Sequence, residues 1–276
     1  MAHIAYIGTP KFCVEKKISK TPMRNMHYHH SVELYYILKG EREYFVGDQF
    51  FKMEEGDLIL IPDGNLHRTA GKSASCFLIN FSAEYLGTYF TPETVSSLQI
   101  KHPVVFRPNQ VQKDTLDSLC NSLYSEYTRI LKDDGCLDSA ILAGYLYQIL
   151  FTISFGANGY VQENYSDRRI SGIVKYINEN YSSINSIEEI AEQFYISKYH
   201  LCRLFNQNLG VGLITYLNTI KIRKASELLK EDSKSITDIA MECGFNSSSY
   251  FCKVFKSEKG LSPTDYKKQY KARRNK

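Results

Sequence analysis

Three residues near the start of the chain, His27, His29 and Glu33, combine imidazole and carboxylate chemistry at positions of equal parity. On an extended strand, residues two or four apart face the same side, so all three would converge on one surface. Imidazole and carboxylate donors with open positions suit a divalent transition metal such as iron, manganese, nickel or zinc. The same groups equally suit a polar pocket for a small molecule, or hydrogen-bonded positions at the rim of a sheet. Arg24, Tyr35, Ile37, Tyr44 and Phe50 are the candidate pocket neighbours, although aromatic residues in a small barrel also serve as plain core.

A second set of candidate residues lies in an internal repeat. Ile190-Ala191 recurs as Ile239-Ala240, an offset of 49; beyond the next turn Ser197, Leu201-Cys202-Arg203, Phe205, Gly210 and Tyr216 recur as Ser247, Phe251-Cys252-Lys253, Phe255, Gly260 and Tyr266, an offset of 50. Each copy reads as a helix bearing Ile-Ala, a turn, a Ser placed to cap the next helix, and a helix ending before Gly. That is the helix-turn-helix plan. The small Ala lets two helices approach, Ile196 and Phe245 are placed to plug the space between them, and Ser197 and Ser247 can satisfy free N–H groups at the second helix. With Leu201, Leu204 and Phe205, or Phe251, Val254 and Phe255, turned inward, the outward residues are Lys198, Tyr199, Cys202, Arg203 and Asn206 in one unit. In the other they are Asn246, Ser248, Ser249, Cys252, Lys253 and Lys256. Arg pairs bidentately with guanine, and Asn, Ser and Lys reach bases or phosphates, so these residues with Ser197 and Ser247 are the candidate contacts to double-stranded DNA.

The elements that must position these groups follow from periodicity. From about Val32 to Asn80 short apolar and aromatic runs are cut by turn residues, the pattern of an antiparallel barrel or sandwich. A helical period then takes over, with Leu116, Leu119, Leu123, Tyr127 and Ile130 on one helix and an apolar run from Leu137 to Phe155 on a second, joined by a short link as a helical hairpin. Leu137, Ile141, Tyr145, Gln148/Ile149 and Thr152/Ile153 recur at helical spacing in that run, and its polar interruptions favour a buried or partner-facing helix over a membrane span. Leu213 to Lys230 reads as one spacer helix of about 27 Å, which suits two recognition helices about one DNA turn apart.

Charge divides the chain. Residues 1–167 hold 15 Lys+Arg against 19 Asp+Glu, a net of −4; residues 168–276 hold 19 against 11, a net of +8. The basic half points to a polyanion partner. Seven scattered cysteines with no C-x-x-C pair argue against a disulfide framework or a zinc-thiolate site, and the first residues lack the apolar core of a signal peptide, which together fit a reducing cytoplasm.

The segment from about Ile170 to Tyr270 resembles the DNA-binding domain of the AraC/XylS family of bacterial transcription regulators. The match runs through IEEIAEQFYISKYHLCRLFNQNLG, KIRKASELL and ITDIAMECGFNSSSYFCKVFKSEKGLSPTDYK; the last block is the most specific, with Gly244-Phe245, Tyr250-Phe251, Phe255-Lys256, Gly260, Ser262-Pro263 and Tyr266 in place. Lys221 and Lys267 stand where the family often has Arg, and Gly212-Leu213 where it has a small-aromatic pair. Nearer the N-terminus, His27-Tyr28-His29, Glu33 and Gly40 resemble the first cupin motif, and Gly56, Pro62-Asp63-Gly64 and His67 the second, which here ends in Gly71 instead of Asn. This resemblance implies His27, His29, Glu33 and His67 as one metal-ligand set, which the shared parity of 27, 29 and 33 supports, and an effector site built from Arg24, His27, His29, Glu33, Tyr35 and His67.

The expectation is therefore a two-domain regulator: an N-terminal all-β cupin-like barrel with a helical hairpin for effector binding and dimerisation (1–156), a linker (157–167), and a C-terminal all-α domain of two helix-turn-helix units joined by a spacer helix (168–276). Its expected partners are double-stranded DNA, a small-molecule effector, by resemblance a carbohydrate, a second copy of itself, and RNA polymerase if it is an activator, with no membrane and no catalytic activity. Two rivals are a metal-dependent cupin enzyme fused to a DNA-binding domain, and a constitutive binder whose barrel only dimerises it.

Overall fold

The structure is a computed structural model that describes residues 5–6, 11–19, 23, 26–98, 100, 102–133, 135–137, 139–155, 160–161, 168–231 and 234–274. Arg24 and most of the expected linker lie outside these residues. The chain forms two compact units, one of residues 7–24 and 28–165, the other of residues 166–276 with residues 1–6 and 25–27.

The first half of the chain is mostly strand: β1 (Ala5–Tyr6), β2 (Phe12–Ser19), β3 (His27–Tyr28), β4 (Val32–Gly40), β5 (Arg42–Val46), β6 (Gln49–Met53), β7 (Leu58–Ile61), β8 (His67–Ala70), β9 (Ala74–Phe81), β10 (Val104–Phe106) and β11 (Tyr160–Val161). They pair as two sheets, in the orders β1-β3-β8-β5-β6 and β11-β10-β7-β4-β9-β2. Alternation decides what each sheet encloses. On β4, Leu34 and Tyr36 join an apolar cluster with Phe77, Ile79, Leu123 and Leu146, while Tyr35 and Ile37 join a second cluster with Tyr44, Met53, Ile59 and Cys76. The second cluster draws on both sheets and lines their inner faces, which enclose the lumen of the barrel. β4 is thus buried on both sides, which explains its nearly continuous apolar sequence.

The outer face of the larger sheet is covered by helices. After α1 (Ala83–Tyr89) and α2 (Pro92–Ser97) come α3 (Gln110–Lys132) and α4 (Ala140–Phe155), which pack as the expected hairpin. Asn109 begins α3 with a reciprocal cap: its side chain accepts from Gln112 N–H at 2.9 Å, and the Gln112 side chain accepts from Asn109 N–H at 2.9 Å. The register of α4 differs from the expected stripe. Leu142, Leu146, Ile149, Leu150 and Ile153 are buried, whereas Ile141 is 57% exposed and Gln148 faces solvent. Phe50 also departs from expectation. It shares parity with Lys52, not with lumen-facing Phe51 and Met53, and rests on Phe45 with ring centroids 4.5 Å apart. Strand β2, which pairs along its whole length with β9, and β11 inside the expected linker are additions that sequence patterning did not foresee.

The C-terminal region is helical: α5 (Arg168–Asn180), α6 (Ile187–Gln193), α7 (Lys198–Leu209), α8 (Leu213–Glu231), α9 (Ile236–Glu242), α10 (Ser248–Lys259) and α11 (Pro263–Arg274). Among the described residues no helix is long and apolar enough to cross a membrane.

Candidate nucleic-acid interface and effector pocket

In the helical unit, α6 and α7 form one helix-turn-helix and α9 and α10 the other. Ala191 and Ala240 are buried where the helices cross, and Ile190 and Ile239 lie beside them in the core. Ser197 and Ser247 cap the second helices as the sequence suggests, their hydroxyls accepting from His200 N–H at 3.2 Å and Tyr250 N–H at 3.3 Å. Both helices close on glycines, with Gly210 N–H donating to Asn206 O and Gly260 N–H to Lys256 O.

With Leu201, Phe205 and Leu209 buried under α7, and Phe251 and Phe255 under α10, the opposite faces are open. Lys198, Tyr199, Arg203 and Asn206 are exposed and Cys202 is half-buried between them. In the second unit Asn246, Ser247, Ser249, Lys253 and Lys256 are exposed, with Ser248 and Cys252 half-buried. Ser197 is exposed as well. Lys198 is paired with Glu188 of α6 at 2.6 Å, an exposed ion pair of little worth that a phosphate can displace. Sequence reasoning passed over Tyr195, which stands in the first turn with φ 53° and is 96% exposed.

The spacer α8 holds the two units by different side chains. Toward the first unit, Tyr216 packs edge-on against Phe205 at 5.2 Å and donates to Asn178 Oδ1 at 3.2 Å. Toward the second, the Thr219 hydroxyl meets Glu258 of α10 at 2.6 Å, and burial raises the Glu258 carboxyl above its ordinary range. Lys221 joins both: its ammonium donates to Ile184 O, ahead of α6, at 3.1 Å and to Gly244 O, in the second turn, at 2.6 Å, and lies 5.6 Å from the Phe245 ring centroid. Desolvation lowers its pKa, the cost of enclosing an ammonium whose partners are carbonyl dipoles.

In the barrel, His27, His29, Glu33 and His67 are all buried, and one ligand atom from each lies within 4.8 Å of the others. The four converge, but not as neighbours on one strand: His27 lies on β3 of the smaller sheet, His29 in the turn that follows it, Glu33 on β4 of the larger sheet, and His67 on β8. Both central imidazoles are oriented by backbone: His29 Nδ1 lies 3.0 Å from Ser31 O, and His67 Nδ1 lies 2.8 Å from Asn65 O. Their Nε2 atoms thereby turn to the Glu33 carboxylate, at 3.1 and 3.7 Å. Tyr44 donates to the other oxygen of Glu33 at 3.4 Å. Burial disfavours the Glu33 carboxylate, yet the bonds and charges of His29 and His67 outweigh it and hold the group well below the usual carboxylate range. Burial likewise opposes the His29 imidazolium, and Glu33 reverses it, raising the His29 pKa. Tyr35 is buried on the same lumen face, one pleat beyond Glu33.

Comparison with known proteins gives two domain matches, a helix-turn-helix domain over residues 190–269 and a cupin domain over residues 18–79. Over most of its length the chain is similar to an uncharacterised HTH-type transcriptional regulator, YdeC, of Bacillus subtilis (strain 168), 24% identical over 88% of this chain and 86% of that one. It is similar to the HTH-type transcriptional activator RhaR of Mannheimia succiniciproducens, 25% identical over 93% of this chain and 91% of that protein. It is also similar to the lactose operon transcription activator of Staphylococcus xylosus, 23% identical over 86% of this chain and 84% of that protein.

Proposed function

Because this chain belongs to the AraC family of helix-turn-helix transcription regulators and carries a cupin domain, we propose that it reads two adjacent DNA half-sites under the control of a small molecule held in the barrel. The observation that carries the reading is the pair of capped recognition helices, each with a polar, partly basic face open, joined by the packed spacer α8. Arg203 and Asn206 in one unit and Asn246, Ser249 and Lys253 in the other are the base-reading candidates. Lys198, Lys256 and the capping serines suit phosphates, with Tyr199, Cys202, Ser248 and Cys252 filling the groove. Two copies of the chain would associate through the hairpin, where the outer side of α4 leaves Ile141 and Phe151 uncovered. As an activator it would meet RNA polymerase on the DNA.

The barrel is read as a sensor and not as an enzyme, since the relatives are named as regulators. A carbohydrate effector is supported by the lactose operon activator among them. The tetrad fits a divalent metal: it offers three imidazoles and a carboxylate, and backbone carbonyls fix the Nδ1 side of two rings, which aims Nε2 inward. His27, His29, Glu33 and His67 would hold the ion, which would supply a Lewis-acidic position for an effector oxygen, and binding would release the proton shared by His29 and Glu33.

Selection of bound duplexes from a random pool by the full-length protein should return two half-sites about one helical turn apart. Arg203→Ala should cost about 1–3 kcal/mol and relax base preference in one half only, Lys253→Ala should act on the other, and affinity should fall steeply with salt. If about five inserted base pairs between the halves left affinity unchanged, the two-headed reading would be wrong.

A further inference from the structure

The lumen of the barrel contains a positive charge that forms no ion pair among the described residues. Arg42 opens β5 and shares the parity of Tyr44 and Val46, both lumen residues, and its side chain is 1% exposed. One terminal nitrogen donates to Ser19 O at 2.8 Å, but Nε and the other terminal nitrogen have no hydrogen-bond partner. The hydroxyl of Tyr35, across the lumen on β4, is buried beside the Arg42 guanidinium and the Cys76 thiol but makes no well-formed hydrogen bond with either. These groups share one neighbourhood: the Tyr35 and Tyr44 rings pack with centroids 5.3 Å apart, and Arg42 precedes Tyr44 by two residues on the same face of β5. Glu33, the carboxylate that faces the same lumen, is committed to His29, His67 and Tyr44.

A guanidinium does not escape burial by losing its proton. An unpaired buried charge is strongly unfavourable, and two donors plus a hydroxyl left unsatisfied in a wall otherwise made of Ile37, Met53 and Ile59 form an acceptor-shaped demand. A neutral sugar hydroxyl meets the hydrogen bonds but leaves the charge. A carboxylate or phosphate meets both, through the charge-assisted bonds for which Arg is suited.

We propose that the effector carries an oxyanion, a carboxylate or phosphate ester, and that Arg42 and Tyr35 bind it at the end of the lumen beyond Tyr44. This rests on the reading of the barrel as an effector site and narrows it from polar small molecules to anionic ones.

The test is the melting temperature of the full chain at constant ionic strength, with chloride replaced by acetate, inorganic phosphate, D-gluconate, D-glucuronate or glucose 6-phosphate, and with glucose as the neutral probe. At least one anion should raise Tm by about 2–4 °C at saturating concentration while glucose does not, and the carboxylate and phosphate arms identify which group is taken. Tyr35→Phe, which keeps the ring, should weaken that anion several-fold without changing the unliganded Tm. Arg42→Met should abolish the response and leave the unliganded Tm equal to or above that of the parent, because a buried charge with no ion pair has been removed. No shift with any of the anions, an equal shift with glucose, or an undiminished shift in Arg42→Met would overturn the proposal; if Arg42→Met does not fold, an undiminished shift in Tyr35→Phe does so. Duplex binding by the same preparations separates the two readings: intact DNA binding without an anion response removes only the anion site, and an anion response without DNA binding removes the regulator.

Discussion

The two helix-turn-helix units carry the same residues at matching places, but their turns meet different surroundings. Position 195 and position 244 are equivalent, each following a helix C-cap and each at positive φ, 53° and 77°. One is a tyrosine pointing into solvent. The other is a glycine, and a Cβ there would stand 2.2 Å from Ser182 O. The next residue differs in the same sense: Ile196 is half-buried, whereas Phe245 is buried against Phe251. The first turn rests on α5 through Phe194, against Tyr176, and leaves position 195 open; the second is seated at position 244 on the chain between α5 and α6, with Lys221 pinning its carbonyl. A repeated motif thus shares its internal geometry, and what each copy tolerates is set by what stands opposite it.

The largest effect should come from Gly244→Ala, which combines a strained backbone conformation with a contact that only a backbone shift relieves. We expect a loss of about 4 kcal/mol or more, with the whole second unit melting early in urea followed by helical ellipticity. A loss under about 1 kcal/mol would remove the contrast. Lys221→Met should come next, at about 2–3 kcal/mol, since two buried carbonyls lose a charged donor. It should also make DNA binding more tolerant of changes in half-site spacing, which a purely local packing defect would not do. Ser197→Ala and Ser247→Ala should each cost about 1 kcal/mol, and equality between them would show that the capping chemistry is indifferent to the asymmetry of the turns. The smallest effect, and opposite in sign, belongs to Tyr195→Gly. Relief of the left-handed conformation offsets the added freedom of the unfolded chain, for a gain of up to about 1 kcal/mol in the urea midpoint.

Much of this was legible before any coordinates. Ser197 and Ser247, the buried alanines and the outward residues follow from an offset of 49 changing to 50, because caps and helix faces are local properties that a repeat displays twice. The grouping of 27, 29 and 33 was legible for an incomplete reason: the chain leaves β3 at Tyr28 and enters β4 of the other sheet at Val32, so a turn between sheets, and not one strand's period, brings them together. The inner face of α4 was not readable: with apolar residues all around it, no stripe stands out, and the helix turns to whichever side the sheet covers, burying Leu142 and Leu146 while leaving Ile141 out. Phe50 was misplaced because Phe50 and Phe51 are chemically identical neighbours, and only the pairing of β5 with β6 decides which faces the lumen. Arg42 carries no signal by type, since a charged residue at the first position of the run REYFV reads as an exposed strand end. Its parity with Tyr44 was the available signal.

The spacer has one more consequence, which concerns variation across generations. Helix α8 runs 19 residues without a break between the two readers. In such a rod residue count becomes angle: inserting or deleting a single residue turns everything beyond it by about 100° and moves it by about 1.5 Å. Lys221, Tyr216 and Thr219 reach partners on both sides of the rod, so an insertion among them would draw some of these contacts apart. If the two units read DNA as proposed, substitutions can alter which bases they prefer one position at a time, while the distance between them is closed to small steps. Operators for proteins of this build would drift in letter but keep their ruler.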